Sequence, residues 1–179
     1  MKQISLFLTI FILFGISIQK EISNEIATYQ LEKVKVKNIK KIELKNNGIE
    51  EHDNPPTSQG YFPELNKKYN FSQPIFYTRR NGFLETEVSY YYSKKDNVVR
   101  LISYSWDKIK SSDSVHNVYN QNAKLFSKYF QNKGVIKNIK ESTYWEDEIR
   151  WENDRIYVFQ FILGNKKGAY RTRTIIQLK

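Results

Sequence analysis

One long stretch of the chain alternates apolar and polar residues with the period of an α-helix. Between residues 113 and 134, these positions follow the i, i+3, i+4 spacing that places side chains on one stripe of a helix. The stripe consists of Val115, Val118, Tyr119, Asn122, Phe126, Tyr129 and Phe130, with Leu125 beside it. Asp113 or Ser112 is suited to cap the first turn, and Gly134 is suited to end the helix in the left-handed conformation. The pattern predicts one long, half-buried helix.

Segments with the alternation of β-strands lie on both sides of this helix. Residues 85–93 and 98–106 predict a hairpin, with aromatic and β-branched side chains sharing one face of each strand. Three or four further strands are predicted after the helix, in residues 135–139, 143–151, 155–163 and 169–178. Short connections favour antiparallel pairing. We therefore predict an α+β fold, a curved antiparallel β-sheet packed on one long helix in the order β-β-α-β-β-β, with a barrel or a β-sandwich plus a helix as the alternative.

The chain before residue 83 is less regular. Residues 33–37 alternate valine and lysine, which predicts an edge strand with a solvated lysine side that continues towards Leu44. Residues 50–82 hold all four prolines together with scattered aromatic residues, which is typical of a long loop that packs over a core. Within this loop, Ile75–Thr78 predicts a short strand.

The first twenty residues predict an export signal. A short basic start is followed by an apolar run over residues 4–18, which is short for a bilayer span of roughly twenty residues. Small residues at Gly15 and Ser17 favour cleavage after Ser17, with cleavage after Gln19 as the second choice. An uncleaved membrane anchor is the lesser alternative. Both interpretations place the folded part outside the inner membrane, secreted or periplasmic, and after cleavage we expect no stable membrane insertion.

These patterns divide the chain into three parts. Residues 1–17, or 1–19 with the second cleavage site, form the signal peptide. Residues 18–82 supply an N-terminal strand or helix and the Pro-rich aromatic loop, and residues 83–179 form the hairpin–helix–hairpin core. A folded part of this size can bury enough surface to need no metal or disulfide. The absence of cysteine excludes disulfides, thiolate metal sites and a cysteine nucleophile.

The formal net charge of +10 has two interpretations. It could attract a polyanion such as lipopolysaccharide, an acidic glycan or nucleic acid. It could equally reflect the codon usage of an AT-rich genome, because Lys, Asn, Ile, Tyr and Phe are abundant and Ala is rare. We favour codon usage, since lysines far outnumber arginines and phosphate recognition usually favours the planar fork of arginine.

Two basic clusters are candidates for a binding surface. Arg79 and Arg80, beside Tyr77, combine guanidinium groups with an aromatic ring, which suits contact with a polyanion or sugar. The second cluster lies on the terminal hairpin and consists of Arg155, Lys166, Lys167, Arg171 and Arg173. Arg171 and Arg173 share a face because strand side chains alternate. A turn and ordinary solvated charge explain both clusters without any ligand.

Catalytic arrangements are weakly represented. His52 and His116 are far apart in the sequence, and without thiols this argues against a zinc site. The chain has no glycine-rich phosphate loop, nucleophile elbow or His-Glu-x-x-His motif. Glu146 and Glu148 point the same way on a predicted strand, as a carboxylate pair of a glycosidase would, but pairing with basic residues explains them as well. We predict no catalytic residue, no metal site and no cofactor.

The preferred hypothesis is an exported, non-catalytic module that binds a protein or a component of the cell envelope. A polyanion binder using the basic hairpin is the first alternative. A small secreted hydrolase using the carboxylate pair is the second.

Overall fold

The structure is a computed structural model and describes residues 29–52, 62–80, 84–107 and 113–179. The predicted signal peptide and both cleavage sites lie outside these residues. All of the described chain beyond Gln30 belongs to one unit, Leu31–Lys179. None of the helices in the described ranges combines the length and the apolar character that crossing a membrane requires.

Eight strands, three α-helices and a short 3-10 helix make up the regular structure of the described residues. In chain order they are the 3-10 helix Val36–Asn38, α1 (Ile39–Lys45), β1 (Gly48–Glu51), α2 (Pro63–Tyr69), β2 (Ile75–Arg79), β3 (Thr86–Tyr92), β4 (Val99–Asp107), α3 (Asp113–Phe130), β5 (Val135–Lys140), β6 (Trp145–Glu152), β7 (Ile156–Asn165) and β8 (Gly168–Leu178).

The strands form one sheet in the order β1-β2-β3-β4-β8-β7-β6-β5. Every neighbouring pair is antiparallel. Two meanders, β1 to β4 and β5 to β8, therefore join where β4 pairs with β8, and α3 connects the end of one meander to the start of the other. Strands β1 and β5 are the edges.

The predicted α+β class with an antiparallel sheet is confirmed, but the predicted order β-β-α-β-β-β and the single helix are wrong. Four strands precede α3 and four follow it, and α1 and α2 are additional helices. The strand predicted at residues 33–37 is also wrong. Only Lys35 makes an isolated bridge there, to Val98, before the chain turns helical. Val36 begins the 3-10 helix and α1 follows it, with Ile39 and Glu43 one helical turn apart and both buried.

Helices α1 and α3 pack against the same face of the sheet, which we call the first face. The α3 residues Val115, Tyr119, Asn122 and Phe126 are buried. The Nδ2 of Asn122 donates to Oγ1 of Thr174 at 3.4 Å. The Nε2 of Gln160 donates to the Tyr119 carbonyl at 2.7 Å. The predicted stripe therefore covers β7 and β8.

The end of α3 differs from the prediction. The helix ends at Phe130, and the next residue, Gln131, takes the left-handed conformation with φ 56°. Gly134 also has a positive φ, 73°, but it lies at the entry to β5. There, a Cβ would lie 2.7 Å from Cγ2 of Ile149, so the glycine permits close approach of β5 to β6.

The opposite side of the sheet, which we call the second face, is covered by α2 near one end. Phe71, Tyr91, Leu101 and Ile175 form a buried cluster on this side. The α2 residues Leu65 and Tyr69, with Phe62 just before the helix, pack on that cluster. A helix of seven residues covers only a small part of an eight-stranded sheet. Among the described residues, part of the second face is therefore left uncovered.

Candidate ligand-binding site

A cavity of about 490 Å³ opens on the second face, beside α2. Its wall is formed by side chains from α2, β4, β7 and β8, namely Phe62, Leu65, Leu101, Tyr157, Phe159, Phe161, Arg171, Arg173, Ile175 and Gln177. Small-molecule sites in proteins typically have volumes of roughly 300–1,000 Å³ with mostly apolar walls and a few polar groups. The cavity has the size and the lining of such a site.

The floor of the cavity follows from strand register. Alternate residues of β7 and β8 face the same side, so Phe159 lies across from Ile175 and Phe161 across from Arg173. On the other flank of β8, Leu101 of β4 lies across from Gln177. Three central strands therefore present apolar side chains in neighbouring rows.

The wall contributed by α2 is held by local contacts. Phe62 packs edge-to-face on Tyr91, with ring centroids 5.2 Å apart. The helix ends where Asn70 takes the left-handed conformation, with φ 46°. The Oδ1 of Asn66 then accepts a hydrogen bond from the Phe71 N–H at 3.2 Å. These contacts fix Leu65 over the cavity.

The far end of the cavity is polar. The Nε of Arg171 donates to both carboxylate oxygens of Asp107, each at 3.0 Å. The Nη2 of Arg173 lies 3.5 Å from Oγ of Ser105, and that hydroxyl donates to Asp107 at 3.1 Å. Partial burial and the charge of Asp107 raise the pKa of Glu87, while Arg173 and Arg171 oppose the shift. The guanidinium groups of Arg171 and Arg173 therefore lie close to the carboxyl groups of Asp107 and Glu87.

Arg79 and Tyr77, two of the predicted binding residues, lie on β2 and are buried. The guanidinium of Arg79 holds both carboxylate oxygens of Glu43 on α1, with Nε–Oε2 2.8 Å and Nη2–Oε1 2.6 Å. Tyr90 also donates its hydroxyl proton to Glu43. Burial is the main cause that raises the pKa of Tyr90. This arrangement fastens α1 to the first face.

Gly48 makes room for that ion pair. A Cβ at this position would lie 2.3 Å from Oε2 of Glu43, closer than atoms can approach. The chain thus passes over the buried carboxylate at Gly48, where β1 begins.

The other predicted basic residues do not converge. Arg80 is exposed and pairs with Glu85 at 3.1 Å. Arg155 is exposed in the turn before β7, whereas Lys166 and Lys167 are exposed in the turn after it. The ten residues of β7 separate the two turns by about 33 Å. Only Arg171 and Arg173 come together, and they do so at the cavity.

The carboxylates considered for hydrolysis lie on β6. Glu148 is buried and accepts a hydrogen bond from Nη2 of Arg150 at 2.7 Å. Partial burial and Glu148 raise the pKa of Glu146, opposed by Lys137. Asp147, on the opposite side of the strand, accepts from Nδ2 of Asn138 at 2.6 Å. Within the described ranges, no group of three His, Asp or Glu side chains is placed to hold a metal ion.

The two histidines lie on different elements. His116, on α3, has its ring centroid 5.7 Å from that of Trp145. His52 is exposed just after β1. Neither one is near the cavity lining.

Apart from Arg171 and Arg173, the cavity residues were not predicted as binding residues, although the sequence contains a signal for them. In β7 the aromatic residues Tyr157, Phe159 and Phe161 alternate with the aliphatic residues Ile156, Val158 and Ile162. The aliphatic set is buried against α3, whereas the aromatic set is only half-buried. A purely aromatic side on a central strand indicates large side chains that can line a cavity.

No protein-family model, curated protein or solved structure matches the chain. The candidate site is therefore argued from the geometry of this chain alone.

Proposed function

We propose that the protein is a non-catalytic binding protein that acts outside the inner membrane and holds an apolar ligand in the cavity of the second face. The observation that carries this proposal is the cavity of about 490 Å³, lined by aromatic and aliphatic side chains. The apolar run at residues 4–18 supports export. Together these features agree with an exported module that binds a component of the cell envelope.

The energetics favour occupancy by an apolar group. Phe159, Phe161 and Leu65 are half-buried, so each still exposes apolar surface to the cavity. Removing apolar surface from water yields about 25 cal/mol for each Å². A ligand that covers these side chains would gain this free energy, less the cost of its own immobilisation.

The arrangement of acidic groups supports a non-catalytic role. Glu148, one member of the carboxylate pair, is buried and engaged by Arg150. A glycosidase needs an acid and a second carboxylate about 5–10 Å apart around a substrate cleft. Neither Glu146 nor Glu148 lines the cavity of the second face, so that cavity gives the hydrolase hypothesis no support.

Polyanion binding stays a separate prediction. Lys166 and Lys167 are exposed and could contact a polyanion. Arg79, Arg80 and Arg171, however, already pair with carboxylates of this chain. The geometry therefore favours the apolar cavity over a basic groove.

The proposal is tested with phenylnaphthylamine, an uncharged apolar dye that fluoresces when it leaves water. We expect the purified protein to bind the dye, and we expect Leu65→Trp to weaken binding at least about tenfold because the larger side chain fills the cavity. Leu44→Trp is the matched control, since Leu44 lies on a helix of the same length, α1, and is 67 % exposed. Its affinity should equal that of the wild type.

Two results would overturn the proposal. One is a wild-type protein that leaves the dye dark at every concentration. The other is Leu65→Trp binding as tightly as Leu44→Trp while both remain folded by circular dichroism.

A further inference from the structure

We propose that the ligand of this cavity is an amphiphile with a single acidic group, whose apolar body lies on Phe159 and Ile175 and whose anionic head is bound by Arg173, beside the ion pair of Arg171 with Asp107. This inference rests on the proposed function and adds the chemical class of the ligand.

The first argument is the change of polarity along the cavity. Strand β8 brings Ile175 next to Phe159 at the end nearer α2, and Arg173 and Arg171 follow on the same face. The four-residue step from Ile175 to Arg171 corresponds to about 13 Å of strand. An apolar floor therefore leads to two guanidinium groups within the length of one small molecule.

The second argument is the bonding of Arg173. Its Nη2 and Oγ of Ser105 are 3.5 Å apart, at the long limit for a hydrogen bond. A carboxylate, phosphate or sulfonate oxygen would make a shorter, charge-assisted bond to the same group. The planar fork of arginine is suited to such anions. Ligand binding would thus improve on the contact that Arg173 makes with Ser105.

Charged groups near the cavity both favour and oppose the binding of an anion. Asp107 forms an ion pair with Arg171. Glu87 of β3 lies across from Ser105 of β4 and is close to both arginines and to Asp107. Glu51 of β1 is also close enough to affect the pKa of Glu87. These carboxylates weaken attraction for an anion. The net charge of +10 adds a long-range attraction for anions.

The volume limits the occupant. About 490 Å³ accommodates one small molecule, whereas a glycan or nucleic-acid strand needs an open basic groove. Phe62 and Leu65 beside the floor would cover the apolar end of such a molecule. A molecule with an apolar body and a single acidic group would match the apolar floor at one end of the cavity and the basic side chains at the other.

The test compares two dyes with the same apolar body. Anilinonaphthalene sulfonate is phenylnaphthylamine with one added sulfonate group, so the ratio of their affinities isolates the contribution of the acidic head. We expect the wild type to bind the sulfonate at least about tenfold more tightly, as a hydrogen bond to a charged group typically gives. Dodecanoate should displace the sulfonate at lower concentration than dodecanol does.

Two variants should change the ratio of the affinities for the sulfonate and the uncharged dye in opposite directions. Arg173→Met should lower the affinity for the sulfonate roughly 10- to 100-fold and leave that for the uncharged dye unchanged. Glu87→Gln should raise the affinity for the sulfonate, since it removes an opposing charge. Arg155→Met removes the same charge in the turn before β7, at the end of that strand away from Arg171 and Arg173; it is the control and should match the wild type for both dyes.

The outcomes separate the two proposals. Equal affinity for both dyes in the wild type, or a ratio unchanged by Arg173→Met and by Glu87→Gln, overturns the acidic ligand and leaves the apolar cavity standing. Failure of the uncharged dye to bind overturns the proposed function itself. A ratio that responds to both variants in the stated directions supports the acidic ligand even if one of them is less stable.

Discussion

The two faces of the sheet differ in what covers them. On the first face, α1 and α3 cover the strands and polar groups are paired inside: Glu43 with Arg79 and Tyr90, Asn122 with Thr174, and Gln160 with Tyr119. On the second face, α2 covers one end, and a cavity of about 490 Å³ lies beside this helix. In the part of the chain that the structure describes, helices cover the first face, whereas the second face keeps a cavity.

This difference separates stability from binding. Polar pairs that are buried are costly to break, so substitutions on the first face should lower the free energy of unfolding strongly. Regions that bind ligands tend to come from the less stable end of a structure. Substitutions on the second face should change affinity more than stability.

The largest effect is expected from Arg79→Met. This change leaves Glu43, which is fully buried, without its guanidinium partner, and it should lower the free energy of unfolding by about 3–5 kcal/mol. Arg80→Met is the matched control. The side chains of Arg80 and Glu85 are each 65 % exposed, so losing that pair should cost about 0–1 kcal/mol. Urea unfolding followed by fluorescence measures both, and similar costs would show that the buried ion pair does not secure the first face.

Phenylalanines from the two faces give the next comparison. Phe126 on α3 is fully buried and packs on Trp151, so Phe126→Ala should cost about 3–5 kcal/mol without altering cavity residues. Phe161 is half-buried in the cavity wall, so Phe161→Ala should cost roughly half as much or less but weaken dye binding. Unfolding and dye titration on both variants check this reversal. Equal costs together with equal affinities would remove the distinction between the faces.

The smallest effect concerns Tyr77 at high pH. The Tyr77 hydroxyl donates a hydrogen bond to Oε2 of Glu50 at 3.3 Å. Burial, and after it the negative charge of Glu50, raise the pKa of Tyr77 from 10.0 to about 12. Between these values the unfolded chain loses the phenolic proton and the folded chain keeps it. The contribution to stability is therefore complete below pH 10 and is lost as the pH rises to 12.

The test of this contribution is the pH dependence of unfolding. Tyr77→Phe should lose stability less steeply than the wild type between pH 10 and 12, because it has no proton to release there. Urea midpoints measured over this interval compare the two slopes. Parallel slopes would mean that Tyr77 titrates alike in the folded and unfolded chains.

Local periodicity was enough to place several elements. The stripe from Val115 to Phe126 lies on α3, and the alternation in residues 85–106 corresponds to β3 and β4. These predictions depend on spacing within one element, and spacing is written directly in the sequence. The antiparallel sheet follows from the short turns between successive strands.

Other features depended on contacts between residues far apart in the chain. Val34 and Val36 alternate as in a strand, but the chain enters a 3-10 helix at Val36 and then α1, which buries Ile39 and Glu43 against the sheet. Arg79 was predicted as a binding residue, because nothing local shows that it pairs with Glu43, 36 residues away in the chain. The sequence by itself thus determined β3, β4, the strands after α3 and the stripe of α3. Only the tertiary structure decided which side of β7 receives α3 and which side is left with a cavity, because a strand's alternation creates two faces without specifying what covers each.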